Sequence, residues 1–249
     1  MKRFDWTIGA GVLIGFTAIA LGAWLENLNL IFLWNPTAIL IVFGGTLSAI
    51  LIRRGGNGLF SALKAVWNLR HKDSEADAHK LLLSKLAWLS RSVQKNGVKA
   101  YENYADTTKD LLIKQGLMLV AENNTKEQIK QVLIRRLDEE NEHGLHDSAL
   151  LEAAGGFAPT FGVLGAVLGL IGVLRVIDKP DELGTGIATA FVATIYGIGS
   201  ANLLLFPLAA RLRARHELRM KRRDEIAEVI LALAEQETST AIMSRYNLK

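Results

Sequence analysis

The chain has 249 residues, half of them hydrophobic, a net charge of +4 and no cysteine, so a disulfide framework and a thiolate metal site are both excluded. The mean hydropathy of +0.21 hides a segregated chain. Long uncharged runs alternate with heavily charged segments, so membrane insertion is the first question the composition poses.

Four runs are long enough to cross about 30 Å of hydrocarbon. They are Trp6 to Leu25, Leu28 to Ile52, Ala153 to Leu174 and Leu183 to Ala210, and none contains Lys, Arg, Asp or Glu. Lys2 and Arg3 precede the first run as in a signal peptide. Its length, the lack of a small-x-small cleavage site and the second span close behind favour a span instead. The short connectors Glu26–Asn29 and Arg175–Glu182 hold only Arg175 and Lys179 as basic residues. The other Lys and Arg concentrate in Arg53–Glu152 and after Ala210, where "RLRARHELRMKRR" abuts span four. The positive-inside rule then predicts that both termini and the long middle segment are cytoplasmic.

This gives four parts: spans one and two within 1–52, a cytoplasmic helical segment over 53–152, spans three and four within 153–210, and a basic cytoplasmic helix over 211–249. The fold class is all-α, a polytopic membrane protein with a helical domain between spans two and three. In "SEADAHKLLLSKLAWLSRSVQ" a capping box at Ser74 and Asp77 starts a helix. Leu82, Leu86 and Leu89 give it an apolar face, and Asn96-Gly97 stops it. A second helix is expected over Tyr101–Ala121. A capping box at Thr125 and Gln128 starts a third, which runs toward His143-Gly144 and on, with some irregularity, into span three. "DEIAEVILALAEQE" reads as another amphipathic helix.

Span three, "GGFAPTFGVLGAVLGLIG", is rich in glycine and holds a proline, both poor helix formers in water. In lipid, close backbone packing holds helices together, and small residues permit it. Gly155, Pro159, Gly162, Gly165, Ala166, Gly169 and Gly172 recur at three- and four-residue spacing. In span four Gly186, Ala190, Ala193, Thr194, Gly197, Ser200 and Ala201 do the same. Two readings stand side by side: ordinary packing faces, or a joint face toward a central object. Thr160, Thr185, Thr189 and Thr194 fit hydrogen bonds back to their own helices. Tyr196 and Asn202 call for interhelical partners.

No intramembrane carboxylate is present, so any titrating group on an ion route must come from another polypeptide. No nucleophile–base pair, Walker ending or H-E-x-x-H arrangement supports an enzyme, and no cofactor or metal is expected. His71, His79, His143, His146 and His216 read as surface residues. The basic residues flank a span without a reading motif, so nucleic acid is not an expected partner.

"GGFAPTFGVLGAVLGLIGVL" followed by "GTGIATAFVATIYGIGSANLLLFPLA" resembles the ion-channel hairpin of MotA/PomA-type flagellar stator subunits, and "IVFGGTLSAIL" resembles their second helix. The resemblance implies a homo-oligomeric ring, a pentamer, in the bacterial inner membrane around a dimer of a MotB-like single-span partner. That partner supplies the ion-binding Asp, ion flow turns the ring, and the cytoplasmic helices push on the rotor protein FliG. By the same resemblance Pro159 and Pro207 match the family prolines, Thr194 lines the ion route and Tyr196 belongs beside it. Gly162, Gly165, Gly169, Ala190 and Gly197 are helix-packing positions. Ala166 stands where sodium-driven members carry Thr, and a methyl group cannot coordinate a hard cation, which favours protons. The rotor segment corresponds to "SRSVQKNGVKAYENY", with Lys95 and Glu102 retained and Arg91 one turn earlier; Gln94 and Asn103 depart from the family pattern. The alternative is a TolQ/ExbB-like proton-driven energiser of cell-envelope transport.

Overall fold

A computed structural model describes residues 6–27, 30–69 and 75–248. Lys2, Arg3, Leu28, Asn29, His71 and the Ser74 half of the first capping box lie outside the described residues. Among the described residues every regular element is helical. Four helices are long and apolar enough to cross a membrane, starting at Thr7, Pro36, Lys126 and Glu182.

The elements are α1 (Thr7–Leu25), a 3-10 turn (Leu30–Leu33), α2 (Pro36–Ile39), a π turn (Leu40–Gly44), α3 (Gly45–Asn68), α4 (Glu75–Asn96), α5 (Lys99–Thr107), α6 (Leu111–Ala121), α7 (Lys126–Arg175), α8 (Pro180–Ser200), a second π turn (Ala201–Leu205), α9 (Phe206–Ala234) and α10 (Ser239–Arg245). They divide into two compact units. One combines Asp73–Gly144 with Arg215–Lys249, and the other combines Phe4–Lys72 with Leu145–Ala214.

The first unit is a helical domain around a large aliphatic core. Leu83, Leu86, Leu112, Ile113, Leu117, Ile129, Leu133, Val229, Ile230, Leu233 and Ile242 are all at most 1% exposed. Gly97 ends α4 with φ of +67°, a left-handed conformation that favours glycine. The Thr125–Gln128 capping box forms: Gln128 Oε1 accepts from Thr125 N at 2.9 Å, and Gln128 N donates to Thr125 Oγ1 at 3.4 Å.

Four expectations for this unit need correction. The helix expected over Tyr101–Ala121 is two helices, because Thr108 is extended and Asp110 caps α6 by accepting from Leu112 N and Ile113 N. The α4 core position is Leu83 rather than Leu82, which is half-buried. His79 is not a surface residue: its side chain is 11% exposed and its Nε2 lies 2.6 Å from Glu225 Oε2. His216 is half-buried against Asn141. The tail also holds a further short helix, α10, which buries Ile242 and Ser239.

The second unit holds the apolar runs. α7 continues without a break through Pro159, and α1 has no buried residue. Within the second apolar run the α-helix starts at Pro36. Asn35 is extended, its side chain accepts from Ala38 N, and proline occupies the first helical position. The second π turn ends two residues before Pro207, whose ring and missing N–H would break a regular i−4 ladder.

Candidate functional site

α7 and α8 meet along a seam in which backbone touches backbone. A Cβ built on Gly162 would lie 2.9 Å from Ala193 O and 3.3 Å from Gly197 Cα. On Gly169 it would lie 2.8 Å from both Ala190 N and Gly186 O. On Gly197 it would lie 2.6 Å from Ala158 O and 3.1 Å from Gly162 Cα. A Cβ built on Gly165 would lie 2.7 Å from Ala193 Cβ, and one on Gly186 would lie 3.0 Å from Gly169 O. Real side chains do not approach this closely, so only glycine permits the contact. Ala190 and Ala193, at 6% and 0% exposed, fill the remaining depth. Gly172 differs from the rest of its stripe, for a Cβ there meets nothing within 4 Å.

Ala166 and Thr194 flank this seam and are half-buried. Thr194 Oγ1 donates to Ala190 O at 3.2 Å, and Thr160 and Thr189 likewise donate to Phe157 O at 2.7 Å and Thr185 O at 2.9 Å. These hydroxyls keep an acceptor lone pair available after satisfying their own helix. Pro159 is half-buried, with its Cα 3.0 Å from a Cβ built on Gly197; Pro207 is exposed.

Tyr196 turns toward the start of span two. Its hydroxyl donates to Leu33 O, and its ring lies 6.1 Å from that of Phe43. Asn202 does not show the expected interhelical partner: its Nδ2 donates to Ile198 O, four residues back in the same helix, at 3.0 Å.

Sequence reasoning missed Asn35. Its Nδ2 donates to Thr189 Oγ1 at 2.8 Å while its Oδ1 caps α2 at Ala38 N, so one side chain starts span two and ties it to span four. The signal was the Asn-Pro pair ahead of an apolar run.

In the helical domain, Arg91, Lys95 and Glu102 are exposed. Arg91 lies over the Trp88 ring at 4.7 Å, while Lys95 is in the last turn of α4 and Glu102 in the first turn of α5. A second polar centre was not foreseen. Arg223 of α9 forks between two carboxylates, donating to Glu140 Oε1 and Oε2 at 2.8 Å each, to Asp110 Oδ1 at 3.0 Å and to Asp110 Oδ2. Burial pushes the Asp110 carboxyl up, yet the Arg223 hydrogen bonds and charge and the N–H groups of Ile113 and Leu112 hold it below its ordinary value. The cluster borders a cavity of about 620 Å³ that His143, His216 and Arg219 also line. Burial and the charge of Arg219 lower the His216 pKa. Asp110 is visible in the sequence as a cap, but its partner 113 residues away is not.

The fold and the seam define a polytopic helical membrane protein whose third and fourth spans form a glycine-packed hairpin without charge. The chain matches the MotA/TolQ/ExbB proton channel family over residues 104–225. It is 29% identical over 238 residues to Motility protein A of Bacillus subtilis, covering 96% of this chain and 88% of that one. It is 30% identical to the uncharacterized protein YtxD of the same organism, covering 87% and 80%. The structure of the flagellar MotAB stator complex from Bacillus subtilis superposes with a TM-score of 0.80 at 29% identity, covering 97% of this chain and 94% of that one. The chain belongs to the MotA/TolQ/ExbB proton channel family.

Proposed function

We propose that this chain is the ring-forming subunit of a bacterial flagellar stator. With a MotB-like single-span partner it builds an ion channel that couples proton flow across the inner membrane to torque on the rotor. The observation that carries the reading is the charge-free hairpin. Spans three and four meet backbone to backbone and offer hydroxyl and carbonyl oxygens but no carboxylate. The group that binds the ion therefore comes from the partner, as an Asp on its helix. The similarity to Motility protein A and to a MotAB stator complex supports a flagellar output over envelope transport.

In this reading both termini and the segment 53–152 are cytoplasmic, 153–210 is the channel hairpin and 211–249 is the basic cytoplasmic end. Gly162, Gly165, Gly169, Ala190 and Gly197 hold the hairpin closed. Pro159, Ala166, Thr194, Tyr196 and Pro207 shape the ion route. Arg91, Lys95 and Glu102 meet the rotor protein FliG.

A proton can move along water to the partner's carboxylate without a fixed coordination shell. Sodium must exchange water for several oxygens, and the Ala166 side chain offers none. Cells depending on this chain are expected to swim without sodium, to stop with a protonophore, and to slow sharply with Thr194→Val, which keeps shape and removes the oxygen. Tracking speed against external sodium at a fixed proton gradient is the test. Speed that scales with sodium would overturn the ion assignment, and unimpaired swimming in a strain lacking the chain would overturn the stator reading.

A further inference from the structure

α3 is interrupted at Gly55, whose φ of +67° and ψ of 178° leave the helical region. A residue with a side chain adopts that conformation only under strain. The break follows closely on the end of the apolar run at Ile52, beside Arg53 and Arg54. Beyond it the chain is helical again to Asn68.

At 3.6 residues per turn this second half carries three stripes, with centres about 120° apart. Leu59, Ala62, Val66 and Leu69 form the first. Ala62 and Leu69 are 1% and 6% exposed, and Leu59 and Ala62 pack with Ile50, Leu150 and Ala154 of the same unit. Phe60, Leu63 and Trp67 form the second and are exposed at 72%, 58% and 64%. Asn57, Ser61, Lys64 and Asn68 form the third, also exposed. A helix wholly in water is not expected to carry three large apolar groups on an open face. A helix deep in hydrocarbon is not expected to carry a polar stripe. Protein on one side, acyl chains on the second and headgroups with water on the third satisfy all three stripes.

Charge selects the lipid. Arg53, Arg54 and Lys64 are exposed, and the sequence between Glu26 and Asp73 holds no acidic residue. Basic residues at the cytoplasmic end of a span attract anionic headgroups. We infer that residues 53–69 form an in-plane docking site for anionic phospholipid, with Phe60, Leu63 and Trp67 among the acyl chains and Arg53, Arg54 and Lys64 on the headgroup phosphates. This rests on the membrane reading of the chain.

The absence of native cysteine allows single spin labels at Phe60→Cys, Ser61→Cys, Leu63→Cys and, as a reference in α1, Ile14→Cys. The full chain is reconstituted in vesicles of phosphatidylcholine alone or with roughly a third phosphatidylglycerol. Collisions with dissolved oxygen and with a water-soluble nickel complex are then compared. With phosphatidylglycerol, labels at 60 and 63 are expected to prefer oxygen and the label at 61 to prefer nickel. That preference at 60 and 63 should fall several-fold in phosphatidylcholine alone and in R53Q/R54Q/K64Q. Three results would overturn the site: labels at 60 and 63 in water everywhere, labels shielded from both reagents as beneath a second copy, or oxygen preference that ignores lipid and charge. A reference label at 14 that meets water would instead sink the membrane reading itself.

Discussion

The two units of this chain bring helices together by opposite means. In the unit of the apolar spans, α7 and α8 touch through Gly162, Gly169, Gly186 and Gly197, and the neighbours of these glycines are mostly backbone atoms. In the helical domain the tightly packed glycines, Gly116 and Gly144, receive side chains: a Cβ on Gly116 would lie 2.9 Å from both Ile230 Cδ1 and Ile230 Cγ2, and one on Gly144 would meet the His216 ring. The surrounding contacts are Leu and Ile packed to exclusion of solvent. The difference follows the solvent. In water, large apolar side chains are driven together in proportion to the area they hide. In lipid that drive is absent, and removing side chains lets backbones reach van der Waals contact.

If that contrast holds, the seam tolerates no enlargement. Gly169→Leu would place atoms where Ala190 N and Gly186 O already sit at 2.8 Å from a first carbon. It is expected to abolish assembly, read as loss of the oligomer in native mass measurement. Gly172→Leu, on the same stripe but with nothing within 4 Å of its Cβ, is expected to assemble. Equal damage from both would break the comparison, since mere glycine content would then matter rather than the seam.

The helical domain should fail in the opposite direction, by truncation. Leu86 is fully buried, and Leu86→Ala is expected to cost about 2–5 kcal/mol of domain stability through lost burial and a cavity. Thermal unfolding of the full-length protein checks it. A loss below about 1 kcal/mol would mean that the site collapses freely and the core is not packed as described.

The domain's polar tie gives a smaller, pH-dependent effect. Against the effect of burial, the hydrogen bonds and charge of Arg223 hold the Asp110 carboxyl below its ordinary value in the folded protein. A depressed folded pKa contributes stability that is present above the unfolded value and lost as pH falls through the folded one. The domain should therefore weaken below pH about 4, and Asp110→Asn should flatten that part of the profile. Arg223→Met leaves Asp110 and Glu140 facing each other without their cation. With side chains 12–30% exposed, the expected cost is about 1–3 kcal/mol at neutral pH. An unchanged acid profile in Asp110→Asn would remove the tie from the stability of the domain.

Much of this architecture is legible in the sequence, and what is hidden has a physical pattern. The fold class, the apolar runs, the stop at Gly97 and the Thr125–Gln128 box depend on neighbours a few residues apart, so local periodicity displays them. The small-residue stripes of spans three and four are visible for the same reason. Which atoms each glycine would meet is not, and Gly172 looks identical to Gly169 until the pairing is known. Asn35 with Thr189, His79 with Glu225 and Asp110 with Arg223 are partners more than a hundred residues apart, and no local pattern announces them. The break at Thr108 was missed because an apolar helical period continues on both sides of it, and only the capping aspartate marks the gap.

The weakest expected effect concerns the outer face of the helical domain, where neither burial nor a seam protects a contact. Lys95 and Glu102 sit on either side of the Asn96-Gly97 break, both exposed, at the end of α4 and the start of α5. The left-handed Gly97 fixes the turn between them, so their spacing is set by the backbone although the side chains are free to move. Exposed ion pairs contribute about 0.2–1 kcal/mol each and are screened by salt. Reversing one charge should therefore reduce swimming only partly, and less than Thr194→Val does. Reversing both should reduce it further. If the two residues meet the rotor directly, opposite reversals on FliG should restore speed, because the Coulomb term depends on the product of the charges. Arg91, stacked on Trp88, is held more rigidly, and its reversal should add to the defect. Full motility in the double reversal would take Lys95 and Glu102 out of the contact and leave them as a solvated helix face.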